Sequence, residues 1–147
     1  MFTLNSHGKT LNITSPLIMG VLNCTDDSFY ESSRSLHLPE LQKKIDQMVL
    51  EGVDIIDIGG QSTRPGSVQI STDLELERIS GAVAYIKNNY PDQWCSIDTT
   101  NSIVAHHAVS SGVEIVNDIS AGNMDDAMLD VVADLQVPFI CMHMQGR

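Results

Sequence analysis

An α/β fold with parallel strands follows from three features of this 147-residue chain. Five short apolar runs each end in a polar residue able to hold a ligand. Amphipathic helical stripes separate the runs. The run ends at Asn23 and His143 bracket four units, a mean repeat of about 30 residues, which is the length of a βαβ unit. In a parallel barrel or sheet, strand carboxyl ends gather on one face, and that face holds the active site.

The elements read in order. Residues 2–14 alternate loosely around His7-Gly8 and predict a short hairpin. Residues 18–22 form the first main strand, ending at Asn23. A helix over 39–51 puts Leu41, Ile45, Met48 and Val49 on one stripe, with Gly52 as its stop. Residues 53–58 carry Asp57 into Gly59-Gly60. Thr72 followed by Glu75 has the spacing of a capping box, before a stripe of Leu76, Ile79, Val83 and Ile86. Residues 95–97 end at Asp98. Asn101 can cap a shorter helix that stops at Gly112. Residues 115–116 end at Asn117-Asp118. Asp125 and Asp126 suit the positive end of a helix with the stripe Met128, Val131, Val132 and Leu135. Pro138 opens a last strand that ends at His143. Five such strands fit a doubly wound sheet or an incomplete barrel; no glycine-rich dinucleotide fingerprint follows the first main strand.

Composition narrows the function. A 42% apolar and 18% charged chain suits a globular core. No apolar stretch is long enough for a membrane span, and residues 1–9 have no signal-peptide pattern, so the cytoplasm is expected. Cys24, Cys95 and Cys141 lie in or beside apolar runs without metal-ligand spacing, which predicts reduced and mostly buried thiols. A net charge of −11 argues against a nucleic-acid partner. It leaves room for an anionic small molecule at a local cationic site.

The richest loop is residues 59–66. Its glycines permit close backbone approach, Ser62 and Thr63 offer hydroxyls, and Arg64 offers a planar cationic fork for phosphate oxygens. The plainer reading is a Pro65-Gly66 turn beside a solvated arginine. Asn23 could ligate a hard cation through its amide oxygen, or cap a turn. Asp26 and Asp27 read as solvated loop charge. Asp98 is the best anionic candidate: a carboxylate there can accept two N–H bonds from a heterocycle and stabilise positive charge on it. Asn117 offers a donor and an acceptor to the edge of such a ring. Asp57 reads as a partner for buried polar groups, His143 as structural, and His106-His107 as surface.

Five blocks then carry a family resemblance: residues 18–29 (IMGVLNCTDDSF), 54–66 (DIIDIGGQSTRPG), 96–99 (SIDT), 115–122 (IVNDISAG) and 142–146 (MHMQG). In this order and spacing they resemble dihydropteroate synthase, the second block most specifically. The resemblance implies a (β/α)8 barrel, of which this chain supplies the N-terminal part as one unit over residues 1–147 behind a hairpin. It implies condensation of p-aminobenzoate with 6-hydroxymethyl-7,8-dihydropterin diphosphate. Asn23 would bind Mg²⁺. Thr63 and Arg64 would contact the diphosphate and the aminobenzoate. Asp98 and Asn117 would hold the pterin, with Ile119 and Met142 packed on it, and Asp98 and Arg64 would carry the catalysis. Phe29 and Pro65 would line the aminobenzoate and sulfonamide site. The chain departs from the family at Asp26 (Pro), Ser32-Ser33 (a Gly pair) and Gln61 (Glu). It also lacks the family's later strands, so little catalysis is expected of it alone, and self-association through exposed strand edges is expected. A methyltetrahydrofolate-dependent methyltransferase domain and a non-catalytic pterin-binding module are the rivals; the Ser-Thr-Arg-Pro-Gly loop points to diphosphate chemistry over the first.

Overall fold

The computed structural model describes residues 1–25, 34–63 and 66–143, with residues 34–37 by their backbone alone. Strands β1 (Phe2–Ser6) and β2 (Lys9–Ile13) form an antiparallel hairpin. Its turn puts His7 and Gly8 at φ 47° and 80°, the positive values that a tight hairpin needs. Then strands and helices alternate: β3 (Met19–Asn23), α1 (Arg34–Leu50), β4 (Ile55–Gly59), α2 (Thr72–Asn89), β5 (Trp94–Asp98), α3 (Ser102–Ser110), β6 (Ile115–Asp118), α4 (Met128–Leu135) and β7 (Phe139–Cys141).

The five main strands are parallel and lie in chain order, β3-β4-β5-β6-β7. That order decides between the two architectures left open by the sequence. A doubly wound sheet reverses direction at a switch point. Here no reversal occurs, so right-handed crossovers put all four helices on one face, as in a barrel. Leu22, Ile56, Ile58, Ile97 and Val116 point to that face. They pack in one cluster with Ile45 of α1, Ile79 and Val83 of α2, Val104 of α3 and Met128 of α4.

The other face is built in rungs set by the register. Met19, Ile55 and Trp94 form the lowest rung. Leu4 and Leu11 of the hairpin pack against it with Leu17, closing the amino-terminal end of the sheet. Val21, Asp57, Ser96 and Ile115 form the middle rung, and Asn23, Gly59, Asp98, Asn117 and Ile140 the upper one.

Two local expectations need correction, and a third gains a partner. Helix α1 starts at Arg34 and runs through Pro39. The missing proline N–H removes one bond near the helix start, while the following turns still bury Ile45 and half-bury Leu41, Met48 and Val49. Helix α2 is capped by Ser71, whose hydroxyl accepts from the Leu74 N–H at 3.3 Å. This puts Glu75 at the fourth helical position, too far along for a capping box, and its carboxylate turns inward. Asp125 lies before α4, yet its carboxylate accepts from the Ser102 N–H at the start of α3 (2.7 Å) as well as from Ala127 N–H (3.0 Å). Those bonds hold its carboxyl below the usual range. Asn101 does cap α3, accepting from the N–H groups of Ile103 and Val104. Cys24 and Cys95 are buried, but Cys141 is exposed because β7 is an edge of the described sheet. Among the described residues no helix is long and apolar enough to cross a membrane.

Candidate active site

The upper rung collects polar side chains at the strand carboxyl ends. Gly59 stands between Asn23 and Asp98 and carries no side chain, and the Asp98 carboxylate lies against it, Oδ2 3.6 Å from where a Cβ would stand. Asn23 is exposed and Asp98 is half-buried. A cleft of about 240 Å³ opens here, with Thr63, Glu75, Asp98, Thr99, Ile119 and Met124 on its walls.

Asp98 is the chemical centre of the cleft. Its Oδ1 is buried and has no hydrogen-bond partner among the described residues. Burial, and then the negative charges of Asp57, Glu75 and Asp118, push its carboxyl up to about 7. A buried acceptor without a donor is rare in a native fold and marks a place where a ligand N–H can bind.

Asp57 organises the rung below. It accepts from the Ser96 hydroxyl at 2.5 Å, and both of its oxygens accept from Asn117 Nδ2, at 3.2 and 3.3 Å. This matches the role read from the sequence. It also orients Asn117: the amide nitrogen faces Asp57, so the amide oxygen faces away. Burial raises the Asp57 carboxyl above its usual range, and the two hydrogen bonds oppose that. Asp118 fixes the loop that carries Ile119. Its carboxylate accepts from Ser120 N–H, the Ser120 hydroxyl and Gly122 N–H, each at 2.8 Å.

Thr63 and Ile119 thus line the cleft with Asp98, and Asn117 stands next to Asp98 on the rung. Met142 follows β7, with its N–H donated to Asp118 O at 3.3 Å, and is exposed. Phe29, Arg64 and Pro65 lie outside the described residues, as do Asp26 and Ser32-Ser33. Sequence reasoning missed Glu75, Thr99 and Met124 as cleft residues. The signal for Glu75 was the serine one residue before Thr72, which shifts the cap.

Gly60 is needed where α2 meets the strand. A Cβ on it would stand 2.9 Å from both Glu75 O and Ile79 Cγ2, and 3.1 Å from Glu75 Cγ. Gly60→Ala is therefore expected to destabilise the fold by about 1–3 kcal/mol. Urea denaturation checks it, and an unchanged midpoint would mean that α2 can simply move aside.

An arc of parallel strands with helices on one face, and a polar cleft at the strand carboxyl ends, is the layout of the barrel class of proteins, whose ligand sites lie at that end. The family described as pterin binding enzyme matches residues 19–147, and the chain belongs to it. It is 38% identical to the dihydropteroate synthase of Haemophilus influenzae over 144 residues, 98% of this chain and 52% of that protein. The crystal structure of 7,8-dihydropteroate synthase from Vibrio fischeri superposes with a TM-score of 0.88 at 37% identity, covering all of this chain and 51% of that one. The Xanthomonas albilineans dihydropteroate synthase, solved with 4-aminobenzoic acid, superposes at 0.87 with 33% identity, covering 98% and 52%. The chain spans about half the length of these relatives.

Proposed function

We propose that this chain forms the N-terminal half of a dihydropteroate synthase, acting in the cytoplasm to join p-aminobenzoate to 6-hydroxymethyl-7,8-dihydropterin diphosphate. The observation that carries the reading is Asp98: a buried carboxylate oxygen without a partner among the described residues, in a cleft beside an oriented Asn117. The relatives described above are dihydropteroate synthases, which favours this over the methyltransferase alternative.

The chemistry follows from the donors available. A pterin ring offers adjacent N–H groups that a carboxylate accepts, and Asn117 can meet its edge. As the carbon–oxygen bond to diphosphate breaks, positive charge develops on the pterin methylene. Asp98, already ionised when it accepts the ring N–H groups, stabilises that charge. The aminobenzoate nitrogen attacks the methylene, a carbon–nitrogen bond forms, and the proton of the amine passes to the released diphosphate or to water. Thr63 offers a hydroxyl to the diphosphate at the cleft mouth, and Arg64 a cationic fork. Ile119 and Met142 would supply apolar surface for the ring, and Phe29 and Pro65 would border the aminobenzoate or a sulfonamide.

Asn23 fits Mg²⁺ in one way. Among the described residues no cluster of three or more His, Cys, Asp or Glu side chains could hold a metal by itself. An exposed asparagine at a strand end, with an amide oxygen to offer, suits an ion that takes its other ligands from substrate phosphates and water. When bound, Mg²⁺ would neutralise charge on the departing diphosphate.

Isothermal calorimetry on the whole protein, with the dihydropterin diphosphate and Mg²⁺, tests the reading. Saturable binding is expected, tighter at pH 8 than at pH 6, because the ionised Asp98 accepts both ring N–H groups and burial pushes its carboxyl up to about 7. Absence of saturable binding, or tighter binding at pH 6, would overturn it.

A further inference from the structure

Glu75 is an acid where the fold has no need of one. It is 3% exposed, in the first turn of α2, and its side chain forms part of the wall of the cleft that holds Asp98. Its Oε1 accepts from the Thr99 hydroxyl at 2.6 Å, the one hydrogen bond of this carboxylate among the described residues. Arg78, one turn along, donates from Nη1 to Gly60 O instead, at 3.0 Å. A buried carboxylate with one neutral hydroxyl bond, and only the Arg78 charge beside it to oppose burial, is costly to keep.

Thr99 shows where this arrangement leads. It directly follows Asp98, and it is held from three sides. Its hydroxyl donates to Glu75 and accepts from Asn101 N–H at 3.1 Å, and its own N–H donates to Asn117 O at 3.1 Å. Helix α2, the start of α3 and strand β6 therefore meet on the residue next to Asp98. Gly60, with no room for a Cβ, keeps the Glu75 backbone tight against the end of β4.

We propose that Glu75 is a positioning residue for Asp98, holding the end of β5 through the Thr99 hydroxyl and putting a second carboxylate into the wall of the same cleft. Among the described residues, the charges that act on Asp98 are Asp57 from β4, Glu75 from α2 and Asp118 from β6, and all three push its carboxyl up after burial. Glu75 is itself raised by burial, opposed by the Thr99 bond and by the Arg78 charge. Glu75 thus keeps Asp98 poised to release its proton when a ligand brings N–H donors and positive charge. The ligand part of this statement rests on the pterin reading of Asp98; the positioning itself does not.

The experiment therefore needs no ligand. Side-chain carboxyl NMR titration of the whole protein follows Asp98 in the wild type and in Glu75→Gln, which keeps an acceptor for Thr99 and removes the charge. The Asp98 midpoint is expected to fall by about half a pH unit or more. A folded E75Q with an unmoved midpoint overturns the electrostatic part. Amide exchange tests the holding part on separate variants. Thr99→Val is expected to speed exchange at Thr99 and Asn101 at least several-fold, with Thr99→Ser restoring protection. Equal protection in all three proteins overturns it, whether or not E75Q folds. Pterin calorimetry that fails for the wild type would sink the functional reading and leave both of these outcomes as they are.

Discussion

Asp98→Asn is expected to make the fold more stable at pH 8 and to weaken pterin binding or turnover by about 100-fold or more. The two effects have one cause. The fold pushes the Asp98 carboxyl up to about 7, against an ordinary 3.8. Between those values the folded chain keeps a proton that the unfolded chain has released. Stability from this group therefore falls as pH rises from about 4 to about 7, and is level above that. Asparagine has no charge to desolvate and does not repel Asp57, Glu75 or Asp118. The advantage of the variant should grow across the same window to about 2 kcal/mol, after discounting for solvent screening at a side chain partly open to the cleft. The functional loss follows because an amide places a donor where the site needs a second acceptor and carries no charge to face a cationic methylene. Urea denaturation at pH 4, 6 and 8, beside calorimetry or a turnover assay, checks both halves. A variant whose stability tracks the wild type at all three pH values would mean that Asp98 is solvated and ordinary. A variant that still binds pterin at wild-type strength would remove Asp98 from the site.

The parts of this structure legible in the sequence are the periodic ones. Apolar runs closed by Asn23, Asp98 and Asn117 predict strands whose ends converge, and the register puts those three on one rung. The stripes of α2 and α4 bury Ile79, Val83, Met128 and Val132 as the spacing requires. The sequence left barrel and doubly wound sheet open on its own, since helix and strand spacing is the same in both; only strand order separates them. Glu75 was misread because one shifted cap turns a helix-end carboxylate into a cleft residue. Glu114 was not legible at all. Between Val113 and Ile115 it looks like a solvated charge at a strand start, and its partners lie 27 and 105 residues away in the chain. Local pattern cannot carry information at that separation; packing against the hairpin does.

That same Glu114 is where the fold should be most sensitive to a single change. It is 2% exposed, and its carboxylate accepts from Lys87 Nζ at 2.7 and 2.9 Å, Lys9 Nζ at 2.8 Å and Cys95 N–H at 2.8 Å. Lys9 belongs to β2 and also donates to Pro91 O at 2.6 Å, so the acid clasps the hairpin to α2 and β5 at the amino-terminal end of the sheet. Glu114→Ala would leave a mostly buried lysine and a buried strand N–H without their acceptor. A loss of about 3–5 kcal/mol is expected, as for other broken buried ion pairs. Lys9 is 35% exposed and can turn to water, so Lys9→Ala should cost only about 1 kcal/mol. Lys87 is 15% exposed and has less freedom to do so. The pair should be non-additive: once Glu114 is gone, removing Lys9 has little left to disrupt, and the double variant should lose less than the sum. Denaturant melts of the single and double variants measure this, and amide exchange in β1 and β2 shows whether the hairpin frays first. A Glu114→Ala loss below about 1 kcal/mol, in the range of a surface pair, would mean that the clasp is decorative and that Leu4 and Leu11 alone hold the hairpin on the rung formed by Met19, Ile55 and Trp94.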